Sequence, residues 1–136
     1  MKSLKLSSSF VAMFVLSGWI VTLIPAGANA EAEVDPLKHD FGDVKLGSSS
    51  STIITISNTG MDRFFISEIG FEAGSSPDFS ITSSAIGEVL DPGESLKVEV
   101  TYTPSTVGSV SAVLRIFWVD REAGLEHVSL VGGGML

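Results

Sequence analysis

Residues 96–103 read Leu-Lys-Val-Glu-Val-Thr-Tyr-Thr and give the clearest indication of the fold. Apolar side chains stand at every second position of this stretch, so Leu96, Val98, Val100 and Tyr102 share one face of an extended strand. Charged and hydroxyl side chains occupy the other face. The alternation therefore predicts a β-strand with one buried face and one face in water.

The residues on either side predict where this strand begins and ends. Before it, Asp91-Pro92-Gly93-Glu94 places proline second and glycine third in four residues, which is typical of a type II turn. After it, Pro104 ends the strand because proline has no N–H to donate to a neighbouring strand.

The same alternation, bounded by Gly, Pro, Asn and Ser, recurs from Glu31 onward, and no ten-residue stretch has helical spacing. Strands are expected at about 34–41, 51–58, 63–71, 78–82, 96–103, 109–119 and 126–131. In residues 63–71 the apolar positions do not alternate strictly, which predicts a β-bulge or a strand covered on both faces. Seven short antiparallel strands indicate an all-β Greek-key β-sandwich, since a single sheet would leave one apolar face in water.

Residues 1–30 have the layout of a secretory signal peptide: Lys2 and Lys5, an apolar stretch at 10–24, and a polar tail. Ala28 and Ala30 fit the small-residue pattern of a cleavage site, so we expect cleavage after Ala30. The alternative is an uncleaved anchor, but the apolar helix expected here is shorter than the roughly 20 residues that span a bilayer. The sequence thus predicts a single domain at 31–136, periplasmic or secreted, with no membrane span after cleavage.

The composition excludes several classes of function. Eight Lys and Arg against sixteen Asp and Glu give a net charge of −8, which becomes −10 when Lys2 and Lys5 are removed. Such a charge repels nucleic acid phosphates, so no nucleic acid partner is expected. The absence of cysteine excludes a disulfide scaffold, a thiolate zinc site and a cysteine nucleophile.

The residues that could carry chemistry are few. His39 and His127 are the only imidazoles, and His39 stands beside Asp40 and Asp43. Because the two aspartates flank a glycine in a turn, we expect them to bind their own backbone rather than a metal. No calcium-loop, serine-hydrolase, zinc-protease or phosphate-loop motif is present. We therefore expect a protein that is not an enzyme, with no catalytic residue, cofactor or metal.

One strand carries a candidate binding surface. Its face opposite the predicted core bears Val113, Arg115, Phe117 and Val119. An apolar outer row indicates a covered surface, and the cover is either the protein's own first strand or another chain. If another chain covers it, strand addition at a sheet edge is the expected mechanism.

The ordered motifs resemble a known family. They are His-Asp-Phe-Gly-Asp-Val-Lys-Leu-Gly at 39–47, Ile-Thr-Ile-Ser-Asn-Thr-Gly at 54–60, Pro-Asp-Phe-Ser-Ile at 77–81, Leu-Asp-Pro-Gly-Glu at 90–94, Val-Thr-Tyr-Thr-Pro at 100–104, Gly108 and Val-Ser-Leu-Val-Gly at 128–132. Together they are similar to the ASH (abnormal-spindle, hydin) domain, also called the choice-of-anchor D type. The resemblance implies a seven-stranded immunoglobulin-like sandwich, related to major sperm protein and pilus-chaperone domains, that acts in protein interaction or structure.

Two functions are consistent with these observations. The first is an exported, non-catalytic module that mediates protein–protein or structural interaction at the cell envelope, with a protein partner that the sequence does not identify. The alternative is an envelope carbohydrate- or metal-binding protein that uses the loops around Asp40, Asp120 and Trp118 at one end of the sandwich.

Overall fold

The computed structural model describes residues 12–16, 19–23, 31–83 and 85–136. These residues form eleven β-strands and no helix. In chain order the strands are β1 (Ala12–Leu16), β2 (Trp19–Leu23), β3 (Ala32–Asp35), β4 (Lys38–Lys45), β5 (Ser50–Asn58), β6 (Phe64–Phe71), β7 (Phe79–Ile81), β8 (Val89–Leu90), β9 (Ser95–Tyr102), β10 (Gly108–Val119) and β11 (Ala123–Met135).

The apolar N-terminal stretch contains an antiparallel hairpin of β1 and β2, which form a two-stranded sheet of their own. The expectation of a helix is therefore wrong for residues 12–16 and 19–23. The bulky apolar and β-branched residues of the two strands are also good strand formers. The expected cleavage site after Ala30 lies outside the described residues. The described part of the chain contains no helix long and apolar enough to cross a membrane.

Residues 31–136 form a β-sandwich, as the alternation predicted. The five-stranded sheet has the order β4-β11-β10-β6-β8, and the four-stranded sheet has the order β3-β5-β9-β7. All of these strands pair antiparallel except β4 and β11, which are parallel. The core between the sheets includes Val98, Val100 and Tyr102 from β9, which are fully buried as predicted.

The described residues of the domain form nine strands rather than the seven expected. The first predicted strand breaks at Pro36, so that β3 pairs with β5 in one sheet and β4 pairs with β11 in the other. The second additional strand is β8, whose two residues pair with the start of β6. The architecture is unchanged, because both short strands extend the edges of the two predicted layers.

The irregular apolar pattern of β6 comes from a β-bulge, which was one of the two expected causes. Ile69 pairs with Ile116 and Ile66 pairs with Trp118, so two residues of β6 stand opposite Phe117 alone. The extra residue shifts the alternation by one position. As a result Ile66 and Ile69 both face the core, while Phe65 points away from it.

The turn before β9 has the predicted geometry and is held by Asn58. Glu94 N–H donates to the carbonyl of Asp91 over 2.9 Å, and Gly93 has a φ of 88°. Asn58 is 1% exposed, and its Nδ2 donates to the carbonyls of Asp62 at 2.8 Å and Leu90 at 2.9 Å. This one polar side chain therefore ties two turns to the end of β5.

The glycines at 132–134 belong to β11, which extends beyond the predicted end near 131. A Cβ at Gly132 would lie 2.6 Å from the Tyr102 ring, and one at Gly134 would overlap the backbone carbonyl of Thr106. The missing side chains let the Tyr102 ring stack on Phe79, with ring centroids 4.8 Å apart. The glycines thus allow close packing at this end of the core.

Candidate interaction surface

The four predicted surface residues lie on the outer face of β10, in the middle of the five-stranded sheet. Val113, Arg115, Phe117 and Val119 are each half-buried and alternate with core residues of the same strand. They therefore share one face that points away from the sandwich core, as the alternation predicted.

Neighbouring strands extend this face into a larger apolar surface. Phe117 pairs with Leu125 of β11, Val119 pairs with Phe65 of β6, and Phe65 pairs with Val89 of β8. Phe65, Val89 and Leu125 are 43%, 49% and 40% exposed. We call Phe65, Val89, Phe117, Val119 and Leu125 together the apolar patch. Large apolar side chains that lie together on a surface are typical of a contact site.

Sequence reasoning missed three members of the apolar patch. Phe65 points outward because of the bulge in β6, and Val89 belongs to a strand of only two residues. Leu125 precedes the predicted start of the last strand. Extending the alternation of Val128 and Leu130 backward along β11 would have placed Leu125 on the outer face.

Arg115 lies next to the apolar patch and has no salt-bridge partner among the described residues. Its guanidinium carbon is 4.9 Å from the centroid of the Phe117 ring, which is a cation–π arrangement. Its Nε is buried, and no hydrogen-bond acceptor for it lies in the described part of the chain. The other two arginines of the domain are paired: Arg63 with Asp91 at 3.0 Å, and Arg121 with Asp62 at 3.3 Å.

The position of β10 limits how a partner can bind. Strands β6 and β11 pair with β10 on its two sides, so no strand can be added at Phe117. A partner would instead contact the face of the sheet with its side chains. Nor is the protein's own first strand the cover of this face, because β3 lies in the opposite sheet and β4 lies at the edge beside β11.

The edges of both sheets are poor templates for an added strand. β3, β7 and β8 have four, three and two residues. β4 is longer, but Gly42 has a φ of 71° and the pairing with β11 shifts register beside it. Short or irregular edge strands are how proteins avoid pairing with other chains.

The residues of the alternative binding site do not come together. Asp40 pairs with Val131, whose other neighbour is Ser111, whereas Asp120 follows the far end of β10. The distance along the strand is about nine residues, or roughly 30 Å. Trp118 packs on Phe64, with ring centroids 6.0 Å apart, rather than standing free in a loop. The proposal that these loops share one end of the sandwich is therefore wrong.

The side chains of His39 and Asp40 make contacts within the fold. Asp40 Oδ1 accepts a hydrogen bond from Gly42 N–H at 2.8 Å, as expected for a turn. The His39 ring packs edge-on against Phe41, with centroids 4.6 Å apart. Among the residues that the structure describes, no three side chains of the metal-ligating types form a group.

Tyr102 lies in an environment that changes its pKa. Burial raises the pKa of its hydroxyl, and the negative charges of Asp78 and Asp43 raise it further. The hydroxyl is buried and has no hydrogen-bond partner among the residues that the structure describes. Nothing in this arrangement would ionise the phenol near neutral pH, so its main role is packing.

Comparisons with known proteins agree with this architecture. The profile of the family described as HYDIN/CFA65/VesB-like, Ig-like domain matches residues 30–132. No curated protein matches the chain in sequence. Among solved structures, the ASH/PapD-like domain 7 of human CEP192 has a TM-score of 0.62 at 13% identity, over 79% of this chain and 87% of that one.

Two bacterial structures show the same fold as part of longer chains. The Vibrio cholerae VesB protease has a TM-score of 0.62 at 15% identity, over 77% of this chain and 32% of that one. A protein of unknown function from Porphyromonas gingivalis W83 has a TM-score of 0.64 at 17% identity, over 84% of this chain and 55% of that one. At these identities the likeness shows the fold alone, and it confirms the expected ASH and PapD-like architecture.

Proposed function

Because the chain belongs to the HYDIN/CFA65/VesB-like family of Ig-like domains, we propose that it is an exported, non-catalytic module that mediates protein–protein interaction at the cell envelope. The apolar patch on the five-stranded sheet carries this proposal. Its exposed members form an apolar surface of the kind that proteins use as contact sites, and its central strand β10 is paired on both sides.

The route of binding follows from the sheet order. Since β10 is internal, the partner contacts Phe117 and its neighbours through side chains, as in packing between two sheets or between a helix and a sheet. Aromatic residues at the centre of such a surface usually supply most of the binding energy. Phe117 is the aromatic member of the apolar patch on the central strand β10, where it pairs with Leu125 of β11 and stands opposite Glu68 of β6, and we assign it that role.

Site-specific photo-crosslinking in intact cells tests the interaction. A benzoylphenylalanine placed at Phe117 should give a discrete crosslinked product with another envelope protein. The matched control places the same residue at Lys97, which is exposed on the outer face of the opposite sheet. Equal products from both positions, or no product from Phe117, would contradict the proposed surface.

Export is proposed from the layout of residues 1–30. It is tested by sequencing the N-terminus of protein recovered from the periplasm and the medium. The expected first residue is Glu31. Recovery of the chain in the cytoplasm, beginning at Met1, would contradict export.

A further inference from the structure

The outer face contains an unpaired cation beside an apolar surface. Arg115 has no carboxylate within salt-bridge distance in the described part of the chain, although the domain is strongly acidic. Its Nε is shielded from water without an acceptor, which costs free energy unless a partner supplies one. Its neighbour on β11, His127, lies 4.0 Å from the carboxylate of Glu72.

The surroundings of Arg115 leave an approach to the guanidinium open. On β6 its neighbour is Gly70, and a Cβ built there would meet nothing within 4 Å. On its own strand, Phe117 lies against the guanidinium and limits its orientations. A stacked guanidinium with an open flank is suited to bind a carboxylate through two parallel hydrogen bonds.

We propose that this face recognises a segment of a partner protein in which an acidic residue stands close to an aromatic or aliphatic residue. The carboxylate binds Arg115 from the side of Gly70, and the apolar side chain packs on the apolar patch beside Phe117. This inference rests on the proposed function and adds the chemistry of the partner.

The negative charges around Arg115 restrict where an acidic residue of the partner can bind. Glu68 stands beside Phe117 on β6, and Glu72 lies near His127. A carboxylate displaced from Arg115 toward either of them would be repelled. The negative charge of the domain thus rejects acidic segments that are not aligned with Arg115, because unfavourable contacts also set specificity.

Selection from a phage-displayed library of random nonapeptides on the immobilised protein tests the inference. Enriched peptides should carry Asp or Glu within two residues of a Phe, Trp, Tyr, Leu or Ile. Their synthetic versions should bind at least about 10-fold more weakly to the variant Arg115→Gln, measured by titration calorimetry. Replacing the peptide's acid by its amide should cause a similar loss on the wild type and little further loss on the variant.

Gly70 provides a matched pair of variants. Gly70→Glu places a carboxylate of the protein itself beside Arg115 and should abolish peptide binding, whereas Gly70→Gln adds similar bulk without charge and should bind more strongly than Gly70→Glu. Circular dichroism and the unfolding midpoint establish that each variant is folded.

The outcomes separate this inference from the proposed function. If the enriched peptides lack an acidic residue but lose binding to Phe117→Asp, the acidic partner is refuted and the docking surface stands. If no peptide depends on Arg115 or Phe117, the inference is refuted, and crosslinking at Phe117 judges the proposed function independently.

Discussion

Removing the Asn58 side chain should destabilise the domain far more than its place at a strand end suggests. Its Nδ2 donates to the carbonyls of Asp62 and Leu90, and its Oδ1 accepts from Gly60 N–H at 2.9 Å. The variant Asn58→Ala loses three hydrogen bonds and leaves the buried Leu90 carbonyl without this donor. At about 1 kcal/mol per bond, the expected loss is about 3 kcal/mol in the free energy of unfolding.

Urea denaturation followed by the fluorescence of Trp118 measures this loss. With a slope of about 1.5 kcal/mol per molar urea, the midpoint should fall by about 2 M. The control is Thr59→Ala, because the exposed Thr59 hydroxyl makes only a 3.4 Å contact with the Glu31 carbonyl. That variant should lose less than about 0.5 kcal/mol.

The variant Asn58→Asp should make the free energy of unfolding depend on pH. Its carboxylate would face two carbonyl oxygens in a buried site, which raises the pKa of the new carboxyl above its unfolded value of about 3.9. A raised folded pKa means that stability is lost as pH rises through that value. Asn58→Asp should therefore be at least as unstable as Asn58→Ala at pH 7 and should recover part of the loss near pH 4.

Two results would refute this account. A loss below about 1 kcal/mol for Asn58→Ala would mean that water satisfies the freed carbonyls, so that the side chain does not tie the turns together. Equal stability differences between Asn58→Asp and the wild type at pH 4 and pH 7 would mean that the new carboxyl is not buried.

Three further predictions follow from the packing of the sheets. Gly134→Ala should cost about 2–3 kcal/mol in urea unfolding because its Cβ would overlap the Thr106 carbonyl, whereas Gly70→Ala, with open space around its Cβ, should change stability by less than about 1 kcal/mol. Tyr102→Phe should be within about 1 kcal/mol of the wild type at pH 7, because the buried hydroxyl has no hydrogen-bond partner within residues 31–83 and 85–136. The raised pKa of Tyr102 means that the wild type loses stability as pH rises above about 10, where the unfolded tyrosine ionises first, and the Phe variant should lack this part of the alkaline loss in unfolding titrations. Phe117→Asp should cost only about 1–2 kcal/mol in thermal or urea unfolding, since it lies on the outer face, and should remain folded while crosslinking from neighbouring positions disappears; failure to fold would show that the residue belongs to the core.

Local alternation was enough to predict the centre of the fold. The stretch 96–103 differs from β9 by one residue at each end, and its apolar face is the buried face. The bulge in β6 was one of two expectations for its irregular pattern, and it allows Ile66 and Ile69, which are three residues apart, to face the core together, as they could not in a regular strand. These features depend only on neighbours in the sequence.

Features set by distant contacts were not predictable in the same way. Glycine is uncommon in strands, so the sequence at 132–134 did not indicate an extended segment. Their place in β11 depends on room for the Tyr102 ring and the 104–106 loop. In the same way, Phe117 could be assigned to an outer face, but the apolar patch around it required the pairing of four strands.

The parallel pairing of β4 with β11 bears on how the protein is made. Lys38 lies beside Ser129, and Lys45 lies beside Met135, so partners separated by about ninety residues must find each other. During synthesis, β4 leaves the ribosome long before β11, so the backbone N–H and C=O groups on this side of β4 have no strand partner until then. A nascent chain stalled before residue 129 should therefore bind holdase chaperones through β4, and release should coincide with emergence of the glycine-rich segment.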